Sequence, residues 1–495
     1  MARTRFDVTC RILLAAQLAI TIISCPAVAQ DKIVPGNDDI EQRVQRVVNG
    51  LRPAVIVAGQ APMNLATRMS ELHVPGVSVA VLHDGKIQWA RGFGSVSIGG
   101  PPVVPETLFQ AGSISKPVSA VAALVLVQAG KLVLDADVNL ILKNWKLPAN
   151  SYTDESKVTL RRLLNHSAGI SVHGFPGYAA GKPIPSLVEV LNGTAPANTA
   201  PIVVGHRPGE RFEYSGGGYT IMQQMLIDLT GQPFSDLLAD TVLKPFGMTN
   251  SSFHQPLLAK EAQAAATPYR GDGAPVEGGP HIYPELAAAG LWTTPTDLAH
   301  FSLAMLDAWA GRKNPVLSQS TVTQMLTPGF GDYGLGPIVR GSPPHRHFRH
   351  DGVNAGFVNA MIAFESGDGA VVMTNAAGGG RLAGEILRSI AAEYRWPAIQ
   401  ARVRQRIDVS SQILERLVGT YELTPKFRIR VSREGERLFA QATGQERFEV
   451  FPESERDFFY SVVDAVLTFD ADGQAGATQL ILHQNGMDRV AKRIP

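Results

Sequence analysis

Cysteine is nearly missing from this chain of 495 residues: there are two, Cys10 and Cys25, and both lie within the first thirty positions. Beyond position 29 disulfides, thiol nucleophiles and cysteine-built zinc sites are therefore excluded. No HExxH pair and no GxSxG elbow occurs, so the zinc-protease and α/β-hydrolase readings lack their central residues. An excess of one charge is also missing. Against 45 Lys and Arg stand 44 Asp and Glu, a net charge of +1, whereas a nucleic-acid binder carries a basic excess on one face. The apolar run "ILLAAQLAITII" is about 12 residues, short of the roughly 20 that span a bilayer. Internal repeats and low-complexity tracts are absent. What is there, 45% hydrophobic and 18% charged, is the composition of a globular protein with room for two or three domains.

Arg3, Arg5 and Arg11 precede that apolar run, and "PAVAQ" offers a small-x-small cleavage site after Ala29. Residues 1–29 are thus expected to be a secretory signal peptide, giving a periplasmic or secreted protein of bacterial type. A second reading treats Ile22-Ile23-Ser24-Cys25 as a lipobox with a lipid anchor on Cys25; Pro26 favours ordinary cleavage. Export without disulfides requires a domain stable on its own core, which this length supplies.

After a lead-in over 30–59, the catalytic unit is expected at 60–395. From Leu72, "VPGVSVAVLHDGKIQWARGFG" alternates apolar and polar residues about Asp84-Gly85, a tight-turn dipeptide, and reads as two antiparallel strands. A Gly- and Pro-rich loop then leads to Ser113 and an apolar helix with Pro117 in its first turn and Gly130 at its end. Residues 150–330 carry helical spacings in "TLRRLLNHSAGI", "YTIMQQMLIDLTG" and "TTPTDLAHFSLAMLDAWAG". Strands return at "GFVNAMIAFESGDGAVVMTNAAGG". Strands at both ends with helices between predict an α+β fold with an antiparallel sheet. A polar stretch, 396–412, reads as a linker. From 413 to 495, short alternating runs divided by Glu434-Gly435, Asp472-Gly473 and Asn485-Gly486 predict a small β-barrel or sandwich.

Ser113 and Lys116 stand three apart at a helix N-terminus, so their side chains share a face. The helix end favours negative charge on the serine oxygen, and partial burial lowers a lysine pKa toward a state that accepts a proton. That suits an activated nucleophile. The pair alone also fits a capping serine followed by a solvated lysine. No other lysine in the chain has a serine three residues before it.

The pieces "FQAGSISK", "VTLRRLLNHSAGI", "RPGERFEYSGGGY", "PFGMTNSSF", "AAAGLWTTPTDLAHF", "YGLGP" and "RHDGVNAGF" occur in the order seen in the serine β-lactamases of class C, the penicillin-binding DD-peptidases and related esterases and D-aminopeptidases. The chain resembles that family over roughly 60–395, which implies the β-lactamase/transpeptidase-like sheet with a helical subdomain. The resemblance makes Ser113 the nucleophile. It places Tyr214 in the family's Tyr-x-Asn loop as a phenolate or shared-proton partner, its pKa lowered by Lys116; the alternative is a core tyrosine. Gly216 stands where the family has asparagine, which argues against efficient β-lactam or standard amide recognition. His350-Asp351-Gly352 resembles the Lys-Thr-Gly strand in its His-x-Gly form. From it follow an oxyanion hole of the Ser113 and Val353 N–H groups and a Gly352 that admits the substrate backbone on an edge strand. His350 would offer a hydrogen bond or positive charge to a substrate carboxylate, or be structural. His166 is read as structural.

The carboxy-terminal run resembles the lipocalin-like barrel appended to some members, implying oligomerisation or limited access to the site. The expected protein is a secreted serine hydrolase working through a Ser113 acyl-enzyme on peptides, including D-residue or linear non-ribosomal ones, or on esters. A β-lactamase, a DD-carboxypeptidase or a weakly catalytic penicillin-binding sensor is the alternative. No metal or organic cofactor is expected, and no nucleic-acid partner.

Overall fold

The computed structural model describes residues 37–471 and 476–495. The signal-peptide reading, both cysteines and the Asp472-Gly473 turn lie outside the described residues. Among the described residues five helices exceed ten residues: α1 (Asn37–Val48), α2 (Ser115–Gln128), α3 (Gly216–Thr230), α4 (Pro295–Trp309) and α5 (Gly379–Glu393). None of the helices among the described residues is long and apolar enough to cross a membrane. Among the described residues ten strands precede the carboxy-terminal barrel: β1 (Val55–Val57), β2 (Gly76–His83), β3 (Lys86–Gly94), β4 (Phe109–Gln110), β5 (Trp292–Thr293), β6 (Ile338–Arg340), β7 (His347–Asn354), β8 (Phe357–Phe364), β9 (Gly369–Thr374) and β10 (Arg402–Arg404).

The main sheet is antiparallel in the order β3-β2-β9-β8-β7-β6. The β2–β3 turn uses left-handed backbone at Asp84 (φ 50) and Gly85 (φ 70), the conformation that a two-residue hairpin demands. Successive residues of β8 face opposite ways. Met361 and Ala363 join the core shared with α2, α3 and α4, whereas Ala360, Ile362 and Phe364 join the core under α1 and α5. Both faces are covered, so β8 and β9 are apolar at nearly every position instead of alternating with polar residues. The sheet thus lies between a helical subdomain on one face and the α1–α5 pair on the other.

The stretch read as a linker contains β10, which pairs in parallel with β1 from the lead-in. Beyond it, eight antiparallel strands from Gly419 to Ile494 close into a barrel, Thr420 of the first strand opposite Ile494 of the last. The choice between barrel and sandwich is thereby settled in favour of the barrel.

Candidate active site

Ser113 lies in a single 3-10 turn, Gly112–Ile114, that runs directly into α2. Two contacts hold this turn. The Ser115 hydroxyl donates to Gly112 O at 2.6 Å and accepts the Leu291 N–H at 3.0 Å, tying the turn to the strand–helix junction on its far side. Gly112 has φ 56, and a Cβ there would sit 2.5 Å from Val353 N. That intimacy brings the Val353 backbone against the serine turn, the arrangement an oxyanion hole of Ser113 and Val353 N–H groups requires.

α2 is buried on almost every side, and Lys116, 2% exposed, is buried with it. Its Nζ is hydrogen-bonded to Ser113 Oγ at 2.9 Å and donates to Ala288 O at 2.9 Å. The amine also lies 5.0 Å from the ring centre of Tyr214 and 5.7 Å from that of Tyr219. Burial pushes the Lys116 pKa down to about 7, so an appreciable fraction of the amine is neutral at neutral pH. The solvated-lysine reading is excluded.

Tyr214 corrects one expectation. Burial raises its pKa to about 12, outweighing a hydrogen bond with Ser113 that acts the other way. Tyr214 is a neutral phenol, not a phenolate, and the lysine is the stronger candidate for base. Behind it His166 packs its ring 4.3 Å from that of Tyr214 and accepts the Ser215 N–H at 3.2 Å through Nδ1. Burial, with Lys116 and two neighbouring histidines, holds His166 well below the usual imidazole pKa, so it serves as a neutral wall.

His350 is 3% exposed, and burial, with Lys116 nearby, pushes its pKa down to about 4. The positive charge expected of it is not available at neutral pH. Nδ1 lies 2.6 Å from Asp351 O; a carbonyl only accepts, so Nδ1 carries the proton and Nε2 is left as an acceptor. That Nε2 is buried and makes no hydrogen bond among the described residues.

Gly352 also serves differently from expectation. A Cβ there would sit 1.8 Å from Ala111 O, so the close approach it permits is that of the chain's own serine turn. Nor is β7 the edge of the sheet, because β6 covers it. That cover reaches only His347, Phe348 and Arg349, leaving His350–Asn354 with an open edge toward the cleft. Asn354 Nδ2 donates to Gln110 Oε1 at 2.9 Å and Ala289 O at 3.0 Å, fixing the end of β7 to the segment that holds Lys116.

Ser113, Lys116, Tyr214, His350, Val353 and Asn354 line one cleft of about 600 Å³, together with residues for which the motifs gave no role: His173, Phe175, Tyr333 and Arg340. Phe175 explains Gly216. A Cβ at 216 would lie 2.9 Å from Phe175 Cε2, so the phenyl ring takes the room that a side chain there would need. The signal for Phe175 in the sequence is the Gly- and Pro-rich character of its own segment, Phe175 to Pro185, whose loop shape bears on specificity. Chemically, the cleft holds a hydroxyl beside a partly neutral amine, a phenol and two backbone donors, which is the equipment for acyl transfer to serine.

The beta-lactamase family profile matches residues 63–394, and a domain of unknown function (DUF3471) matches 403–490. Penicillin-binding protein 4* of Bacillus subtilis (strain 168) is 24% identical over 449 residues, covering 86% of this chain and 96% of that one. Protein flp of Staphylococcus aureus (strain N315) is 27% identical over 243 residues, 48% of this chain and 45% of that one. The chain thus spans just under half the length of that relative. Among solved structures, the octameric penicillin-binding protein homologue from Pyrococcus abyssi superposes with a TM-score of 0.59 at 23% identity, covering 86% of this chain and 98% of that one. The D-amino acid amidase from Ochrobactrum anthropi SV3, complexed with L-phenylalanine amide, gives 0.53 at 21%, covering 72% and 99%. Those two likenesses concern the fold. With the family profile extending over more than half of its length, the chain belongs to the beta-lactamase family of serine hydrolases.

Proposed function

We propose that this protein is an exported serine hydrolase that cleaves small peptides, amides or esters through an acyl-enzyme on Ser113. The observation that carries the reading is the buried Lys116 amine 2.9 Å from Ser113 Oγ. Neutral Lys116 takes the hydroxyl proton as Oγ bonds to the acyl carbon, and the N–H groups of Ser113 and Val353 receive the developing oxyanion. The Tyr214 hydroxyl, bonded to Ser113, relays a proton to the leaving amine or alcohol as its bond to the acyl carbon breaks. Water then attacks the ester, and Ser113 recovers its proton.

Gly216 and an uncharged His350 favour peptide or ester substrates over β-lactams. They remove the side-chain amide and the cation that a lactam carbonyl and carboxylate would meet. The relative named as a D-amino acid amidase supports including D-residue amides in the screen. The octameric homologue supports self-association as part of the proposal, with the barrel as the contact. Export rests on the arginines and apolar run of residues 1–29.

A fluorophosphonate and a fluorescent penicillin, each followed by mass spectrometry of the intact protein, test the reading. Ser113 is expected to label with the fluorophosphonate, and Ser113→Ala is expected to abolish it. A native protein that never labels, or labels elsewhere, overturns it. A panel of D- and L-peptides, amides, esters and β-lactams then assigns the substrate class.

A further inference from the structure

The barrel does not fill its own mouth. Val431, Leu438, Val450, Phe458, Leu467 and Phe469 pack its interior, but Ala440 and Ala465 supply only methyl groups where the barrel meets α5. A cavity of about 370 Å³ results, within the range of small-molecule sites. Its barrel wall is mostly apolar, with Ile429, Ala440, Ala465 and Leu482, carries Gln445, Glu446 and Gln484 as well, and includes Tyr460, whose hydroxyl makes no hydrogen bond among the described residues.

The opposite wall is one face of α5. Gly380, Gly384 and Arg388 recur every four residues and so stand in line along it. A Cβ at Gly384 would lie 3.1 Å from Arg388 Nη1, so the glycine lets the guanidinium lie flat against the helix. There Nη1 is shut off from solvent and makes no hydrogen bond among the described residues. Among the described residues, no carboxylate forms an ion pair with Arg388. The carboxylate nearest in sequence, Glu385, is taken: Arg68 grips it at 2.9 and 2.7 Å, and Arg381 approaches to 3.3 Å. Glu446, at the exposed rim, faces Arg381. The lining thus carries two arginines and two carboxylates, with Arg388 outside the ion pairs, against a wall of hydrocarbon.

An arginine keeps its charge, and a buried N–H of that group left without an acceptor is costly. A ligand anion would remove that cost, and a planar carboxylate matches the guanidinium fork. A bare inorganic anion would leave the apolar volume empty. We propose that this cavity binds an aliphatic monocarboxylate, its carboxylate on Arg388 and its chain in the mouth of the barrel.

Isothermal titration of the full chain with decanoate tests this, with decyltrimethylammonium and inorganic phosphate as comparison ligands. Decanoate is expected to bind at one site, equally well in Ser113→Ala, which separates this site from the cleft. Arg388→Met is expected to weaken binding at least tenfold, with an unchanged near-ultraviolet circular dichroism spectrum. Ala440→Leu, which fills the cavity from the barrel side, is expected to do the same and serves if Arg388→Met does not fold. The proposal is overturned if decanoate does not bind, if it binds no better than decyltrimethylammonium, if phosphate binds as well, or if a folded variant binds decanoate as the native chain does.

Discussion

Lys116 Nζ sits between two oxygens, Ser113 Oγ and Ala288 O, each 2.9 Å away, and only burial perturbs its pKa. The amine is poised by desolvation alone, so its behaviour with pH follows directly. If neutral Lys116 is the base, acylation of Ser113 rises with pH through a midpoint near 7 and then levels off. Lys116→Ala is expected to lower the acylation rate by about 10²–10⁴-fold. Stopped-flow labelling with an activated ester across pH 5 to 9 reads both effects.

The same group carries a stability signature. Its folded pKa of about 7 lies below the ordinary 10.5, so between those values the unfolded chain binds more protons than the folded one. Stability therefore rises with pH across that window, and the burial penalty is greatest below pH 7. Lys116→Met is expected to raise the melting temperature relative to the native chain more at pH 6 than at pH 9. Equal differences at the two pH values would place the charge in solvent.

Tyr214 is neutral, its pKa pushed up to about 12. Tyr214→Phe should slow acylation by roughly 10–100-fold, toward the lower end of general acid–base effects, while leaving the midpoint near 7 in place. Loss of that midpoint in the phenylalanine variant would make the tyrosine the titrating base.

Gly216 is coupled to Phe175 by the 2.9 Å approach of a Cβ to the ring. Gly216→Asn alone is expected to destabilise the protein by about 1–3 kcal/mol through overpacking. Combined with Phe175→Ala it should recover stability and acylate faster with penicillin, as thermal melts and penicillin labelling would record.

Gly352→Ala forces a methyl group to within 1.8 Å of Ala111 O. The strand and the serine turn must part, so Ser113 labelling is expected to fall by at least tenfold even where circular dichroism shows a folded protein.

Much of this arrangement was legible in the residues. Asp84-Gly85 announced a hairpin because few dipeptides tolerate its backbone, and Ser113 with Lys116 announced a nucleophile because three residues of helix bring two side chains together. Charge states were not legible. Tyr214 near a lysine reads as acidified and His350 near a cleft reads as cationic, until burial, which no local pattern encodes, reverses both. Likewise Arg402–Arg404 looks like solvated linker, since its strand partner Val55–Val57 is hundreds of residues away. The strand Asp457–Tyr460 escaped notice because four residues between turns show no period.

That small ladder has a consequence for how the chain comes apart. Val55 N–H donates to Ser461 O of the barrel at 3.0 Å, and Arg402 pairs with Asp464 at 2.8 Å, so lead-in and connector are fastened together and to the barrel's rim. A protease seeking the usual soft seam between domains would meet a strand in its place. Trimming the amino-terminal lead-in past Val57 would unzip it, so the strand Val55–Val57 acts as a latch on the barrel.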